Sequence, residues 1–173
     1  MGIRLSIAAP LRGAKRWSFL AHAKEIRLAT QSGDDPIYLS ALWFVAHDEK
    51  IYVPLDQASR HGANIARGGR LSAVVDAGHG FADVHGIHIE GSAVPVDDPV
   101  FAEELEEMIL HKYFYEGDPY LEEYVNFGQY NDRKFYELVP DKMYGFDLRE
   151  VTNMAGSEKR VLPPHILDGN AVG

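Results

Sequence analysis

The chain reads as a mainly-β fold with peripheral helices: a small, closed or nearly closed antiparallel barrel of about six or seven strands. Three observations carry that expectation. Strand-like segments follow one another through short connections, which favours antiparallel neighbours. One long strand pattern, VHGIHIEGSAVPV, carries Gly86 and Gly91 in its interior, where glycines mark the bends and bulges of barrel corners. Strand-like segments outnumber helical ones, at roughly six or seven against about three. At 173 residues the chain fits one domain with a real core. The expected layout is a barrel domain over residues 1–150 and an extended tail over residues 151–173, where Gly, Pro, Asn and Ser take over.

Taken in order, WSFLAHAK at residues 17–24 predicts a short helix with Trp17, Leu20 and Ala21 on one face. IRLAT at 26–30 alternates as a half-buried strand does, and QSGDDP is a turn cluster. Residues 37–46 are nearly continuous in apolar and aromatic side chains, so one strand with both faces covered is expected. His47 to Lys50 turn the chain, Ile51 to Val53 return it as the second arm of a hairpin, and Pro54 ends the strand or marks an edge. Ser59 is placed to cap a short helix that Gly68-Gly69 stops. LSAVVD at 71–76 is a buried strand. Asp98-Pro99 opens a helix with Phe101, Leu105, Met108, Ile109 and Lys112 on one stripe. A helical turn is expected after Pro119. KFYELV at 134–139 and residues 143–148 are two further strands, separated by a Pro140-Asp141 turn.

Composition excludes several classes. The net charge of −9 argues against a nucleic-acid binder, because phosphate neutralisation needs a basic face. No apolar run approaches the ~20 residues that span a bilayer, so no membrane partner is expected. There is no cysteine, hence no disulfide, thiolate metal site or thiol nucleophile. That absence fits a reducing cytoplasm, the expected location. Met1 to Ser6 match a loose myristoylation pattern, which is short enough to arise by chance and is read as an ordinary terminus.

Catalytic motifs are missing. There is no Gly-x-Ser-x-Gly elbow, no His-Glu-x-x-His and no phosphate loop. Gly78-His79-Gly80 lacks the third glycine of a dinucleotide fingerprint. His85 and His88 sit an odd number of residues apart, on opposite faces of a regular strand, unless a bulge at Gly86 restores one face. No metal site is assigned. The aromatics Tyr113, Phe114, Tyr115, Tyr120, Tyr124, Phe127 and Tyr130 suit either an apolar cavity or the packing of a helix and a dimer contact.

The stretch that points to a ligand is Ser59-Arg60-His61. A helix start leaves N–H groups free, and Arg60 adds a forked cation suited to phosphate. The order of pieces around it is more specific: a short helix, IRLAT, a SALWFV strand, KIYV, an SRxxxN helix, LSAVVD and IEGSAVPVDDP. In that order, residues 17–99 resemble the pyridoxamine 5′-phosphate oxidase-like family of flavin and deazaflavin proteins. The resemblance implies an antiparallel split β-barrel and a homodimer with the cofactor at the subunit interface. It implies FMN, or alternatively a deazaflavin coenzyme, and hydride transfer to or from an unspecified small-molecule substrate. It places the phosphate at Ser59, Arg60 and His61, the ring system against Ser40, Ala41, Leu42 and Trp43 and near Val53 and Pro54, and Asn64 on the helix. Two departures stand out. His61 takes the place of a frequent lysine, which makes the anion site weaker or pH-dependent. The last strand, MYGFDLREV, lacks the Trp, Arg and His pattern of the vitamin-forming enzymes. The acidic balance leans against deazaflavin, whose oligoglutamate tail needs a basic groove. A non-catalytic carrier of flavin, haem or an apolar ligand is the reading from a different class.

Overall fold

The computed structural model describes residues 11–80 and 83–149. The N-terminal hexapeptide pattern and the tail at 151–173 lie outside the described residues. Among them, seven strands form one sheet, with four helices around it.

The elements follow the chain as α1 (Gly13–His22), β1 (Ile26–Gln31), β2 (Tyr38–Leu42), β3 (Val45–His47), β4 (Lys50–Asp56), α2 (Arg60–Ala66), β5 (Arg70–Ala77), β6 (His85–Pro95), α3 (Pro99–Tyr113), α4 (Leu121–Tyr130) and β7 (Arg133–Asp147). All pairings are antiparallel, in the order β2-β1-β5-β6-β7-β4-β3. β2 and β3 are therefore the two edges of the sheet, yet only Trp43 and Phe44 separate them in sequence. Three Cα steps of about 3.8 Å cannot bridge an open sheet. The sheet must curl until its edges stand side by side without pairing, which is a split barrel.

This corrects two expectations. Residues 37–46 are not one covered strand of a hairpin. β2 pairs with β1 and β3 pairs with β4, so the break at Trp43-Phe44 hands the chain from one edge to the other. Ile37 and Leu39 are also exposed, at 67% and 62%, so the outer face of β2 is uncovered in a single chain. The hairpin proper is β3–β4, turning at Asp48 and Glu49 with φ of 47° and 57°, the left-handed pair of a tight two-residue turn. The second correction concerns Pro140-Asp141, which is no turn. β7 runs unbroken from 133 to 147, and a register shift at Glu90/Gly91 of β6 absorbs the extra residue. A Cβ at Gly91 would stand 2.1 Å from the Val139 carbonyl oxygen, so only glycine lets the two strands meet there. Gly86 sits in regular register and restores no common face to His85 and His88.

The main core fills the barrel with Leu28, Val53, Leu55, Val75, Ile87 and Ile89 among others, with Trp17 of α1 packed against it. A second core of Val45, Tyr52, Leu105, Ile109 and Phe135 seats α3 on the outside of β3, β4 and β7. Asp98 caps α3 by accepting from the N–H groups of Val100 and Phe101 at 3.0 and 3.4 Å. No helix among the described residues is long and apolar enough to cross a membrane.

Candidate functional site

β3 is three residues long and pairs only with Lys50 to Tyr52 of β4. Beyond that point the edge of β4 from Val53 to Asp56 has β7 on one side and no strand on the other. β2 likewise pairs on one side alone. The gap between these two half-paired edges is a cleft of about 460 Å³, within the usual range for small-molecule sites. Pro54 stands in its wall, a residue with no N–H to leave unpaired.

One wall comes from β2 and α2. Ser59 caps α2, its hydroxyl accepting from the Gly62 N–H at 3.1 Å. α2 then directs His61 and Asn64 inward, where both are buried. His61 Nδ1 is 2.9 Å from Thr30 Oγ1, and Nε2 is 2.8 Å from Ser40 Oγ. Asn64 Nδ2 donates to the Thr30 carbonyl and hydroxyl at 3.2 and 3.0 Å. Arg67 donates in turn to Asn64 Oδ1 at 2.9 Å and to Asp35 at 2.7 Å. This network stitches α2 to β1 and β2. Burial lowers the pKa of His61, so the imidazole is held neutral. Its two nitrogens serve two hydroxyls.

The opposite wall comes from α4 and the start of β7. Tyr124 and Phe127 of α4 and Arg133 of β7 line it, with Trp43 between the walls. Trp43 stacks on Tyr113 of α3, centroids 4.4 Å apart and planes within 9°. The Phe44 N–H donates to Tyr113 Oη at 2.9 Å, and Tyr113 Oη donates to the Phe44 carbonyl at 2.8 Å. Lys112 Nζ reaches the same carbonyl at 2.9 Å. The end of α3 thus pins the break between the two sheet edges. Burial drives the Tyr113 hydroxyl up to about 12 and Lys112 down to about 8.

Of the ten residues assigned from sequence, Ser40, Ala41, Leu42, Trp43, Pro54, Ser59 and His61 line this cleft. Three do not. Val53 points into the barrel core with no exposure. Asn64 is spent on Thr30 and Arg67. Arg60 is exposed and lies over the ring of Tyr38, 5.6 Å from its centroid, at the mouth beside a lining residue. Sequence reading did not assign Tyr38, Glu25, Leu55, Asp56, Tyr124, Phe127 or Arg133, which also line it. Tyr124 and Phe127 were visible only as members of an aromatic set.

The histidine pair on β6 is divided as well. His85 Nδ1 donates to the Asp83 carbonyl at 2.7 Å, and His88 Nε2 lies 3.2 Å from Ser72 Oγ. Among the described residues no three His, Cys, Asp or Glu side chains converge to hold a metal.

Comparison with known families matches residues 16–144 to the pyridoxamine 5′-phosphate oxidase model. That span is most of the chain, and the chain belongs to this family of split barrels. A comparison with curated proteins found no significant match. Among solved structures, a conserved hypothetical protein of Mycobacterium tuberculosis is similar at a TM-score of 0.70 and 21% identity, covering 95% of this chain and 99% of that one. The FAD binding protein of Mycobacterium smegmatis gives 0.55 and 13%, covering 79% and 97%. The heme storage protein HutZ of Vibrio cholerae gives 0.60 and 18%, covering 76% and 94%. At these identities the likeness is one of fold.

Proposed function

We propose that the cleft holds FMN and that the protein is a flavin-dependent oxidoreductase working as a homodimer. The observation that carries the reading is the pair of half-paired β edges facing each other across the cleft. Such edges present rows of backbone donors and acceptors, which suit the polar rim of a flat heterocycle, while Leu42, Trp43 and Pro54 offer apolar surface to its faces. Ser59 and Arg60 stand at the mouth, where a phosphate would meet a hydroxyl and a guanidinium. A bound flavin supplies hydride chemistry itself, and the protein contributes placement and electrostatics. The missing catalytic motif is consistent with that division.

Family membership and a FAD binding relative support a flavin. Haem is disfavoured at this cleft because His61, the one histidine among the described residues lining it, already has both nitrogens engaged. A deazaflavin is disfavoured because the one cation among the described residues lining it, Arg133, is paired with Asp56 at 2.8 Å. The uncovered face of β2 supports a second copy. Leu39 aligns with Ala29 of β1, and Ala41 with Arg27, through to Val74, His88 and Tyr144 on the same side. The soluble chain is expected to act in the cytoplasm, on a small molecule.

The test is titration with FMN, followed by the change in flavin absorption and the quenching of its fluorescence. The wild-type chain should bind. Arg60→Ala should weaken binding about tenfold, the lower end for a charge-assisted bond at an exposed site. Equal affinity in the variant would remove the phosphate assignment, and no binding by the wild type would remove the flavin.

A further inference from the structure

The α4 wall carries apolar surface that neither the core nor the half-paired edges require. Phe127 lines the cleft and is 56% exposed. Tyr124 stands beside it, tilted against Trp43 at 5.2 Å and against Phe114 at 5.2 Å. The guanidinium of Arg133 lies 4.6 Å from the Tyr124 ring centroid and 5.7 Å from that of Phe127. Gly128, buried in the last turn of α4, faces that guanidinium. A Cβ there would stand 3.2 Å from Arg133 Nη1.

The charges on this side decide what the wall can take. The Arg133 side chain is mostly buried and its Nε donates to Asp56 Oδ1 at 2.8 Å. The other charged group lining the cleft is the Glu25 carboxylate. Among the described residues no unpaired cation lines this wall, and the Glu25 carboxylate lines the same cleft. Tyr124 keeps its hydroxyl proton, since burial raises its pKa.

We infer that the face formed by Tyr124 and Phe127 binds an uncharged, planar aromatic ligand, the co-substrate of the proposed flavin site. Stacking on Phe127 would cover the exposed ring, and Tyr124 would meet the ligand edge to face. The identity as co-substrate rests on the flavin reading; the ligand class rests on the wall alone.

The experiment uses 2-methyl-1,4-naphthoquinone as the uncharged probe and 1,4-naphthoquinone-2-sulfonate as its anionic counterpart. Both are titrated calorimetrically into the full chain, with and without FMN. The uncharged quinone should bind at least fivefold more tightly than the sulfonate. Phe127→Ala should weaken the quinone about tenfold, and weaken it more than it weakens FMN. Tyr124→Leu, which removes the ring but keeps an apolar side chain, should weaken it less. Equal binding of the two probes would overturn the proposal. So would unchanged quinone affinity in Phe127→Ala, including the case where that variant alters self-association instead. Parallel loss of FMN and quinone would overturn it too, because the wall would then belong to the flavin ring. Quinone binding as expected with no FMN binding would sink the flavin site and leave the aromatic wall standing.

Discussion

Across the cleft, the wall of β2 and α2 and the wall of α4 are built by different means. The first is a closed polar network in which His61, Thr30, Ser40, Asn64 and Arg67 satisfy one another inside the protein. The second is aromatic surface resting on a single ion pair between Arg133 and Asp56. A satisfied buried network fixes geometry and is costly to open. An aromatic face on a short helix can shift without orphaning any polar group. The fixed wall suits the proposed resident flavin, and the adaptable wall suits the proposed exchanging ligand.

Removing the hub of the fixed wall should have the largest effect. His61→Ala strands the hydroxyls of Thr30 and Ser40 and leaves a hole, and about 2–4 kcal/mol of stability should go with it. Urea unfolding measures this; a loss under 1 kcal/mol would show that the network is not what holds α2. The same residue sets a pH response. Folded His61 has a lowered pKa, so the unfolded chain binds the proton first as the solution turns acidic. Stability should therefore fall as pH drops below about 6.5, and the variant should lose that slope.

On the adaptable wall a smaller and more local loss is expected. Arg133→Ala removes a partner from Asp56, whose side chain is 24% exposed. The global cost should be about 1–2 kcal/mol. Hydrogen exchange should speed up along α4 (Leu121–Tyr130) and stay nearly unchanged in β1. Uniform acceleration in both would mean that the walls are one cooperative unit and that the distinction between them fails.

The two walls also differed in how far they could be read from sequence. Ser59 was legible as a cap because capping is local, and Ser40 to Trp43 entered the site through the family resemblance. Tyr124 and Phe127 were visible only as part of an aromatic set that suits a cavity or a packing contact, and Arg133, which lies against their rings, comes from the start of β7. Val53 and Asn64 were placed in the site through the family resemblance, and in the fold both side chains are buried away from the cleft. The break at Trp43-Phe44 escaped for a related reason. An unbroken apolar run looks like one strand, and only the closure of the sheet reveals that its two halves belong to opposite edges. Composition could not show that Pro140 sits inside a strand either, because the accommodating residue, Gly91, lies 49 positions away.

The pin at that break gives the smallest expected effect and a sign that can be checked. Lys112 reaches the Phe44 carbonyl from a partly buried position beside the Phe44 ring, and its pKa falls to about 8. The ordinary value of 10.5 applies once the chain unfolds. Between pH 8 and 10.5 the unfolded chain thus holds a proton that the folded one has released, and stability should rise with pH across that window. Below 8 both forms are charged, and the folded protein carries the cost of the desolvated ammonium. Lys112→Met removes that cost together with one hydrogen bond. The Phe44 carbonyl keeps the Tyr113 hydroxyl at 2.8 Å, a donor it shares with the exposed Lys24 carbonyl at 2.9 Å. The variant should match the wild type at pH 7 to within about 1 kcal/mol and show a flatter stability profile from pH 8 to 10. Thermal melts across that range read the difference. A variant much weaker at pH 7 would mean that the ammonium, rather than Tyr113, is what holds the two edges of the split barrel together.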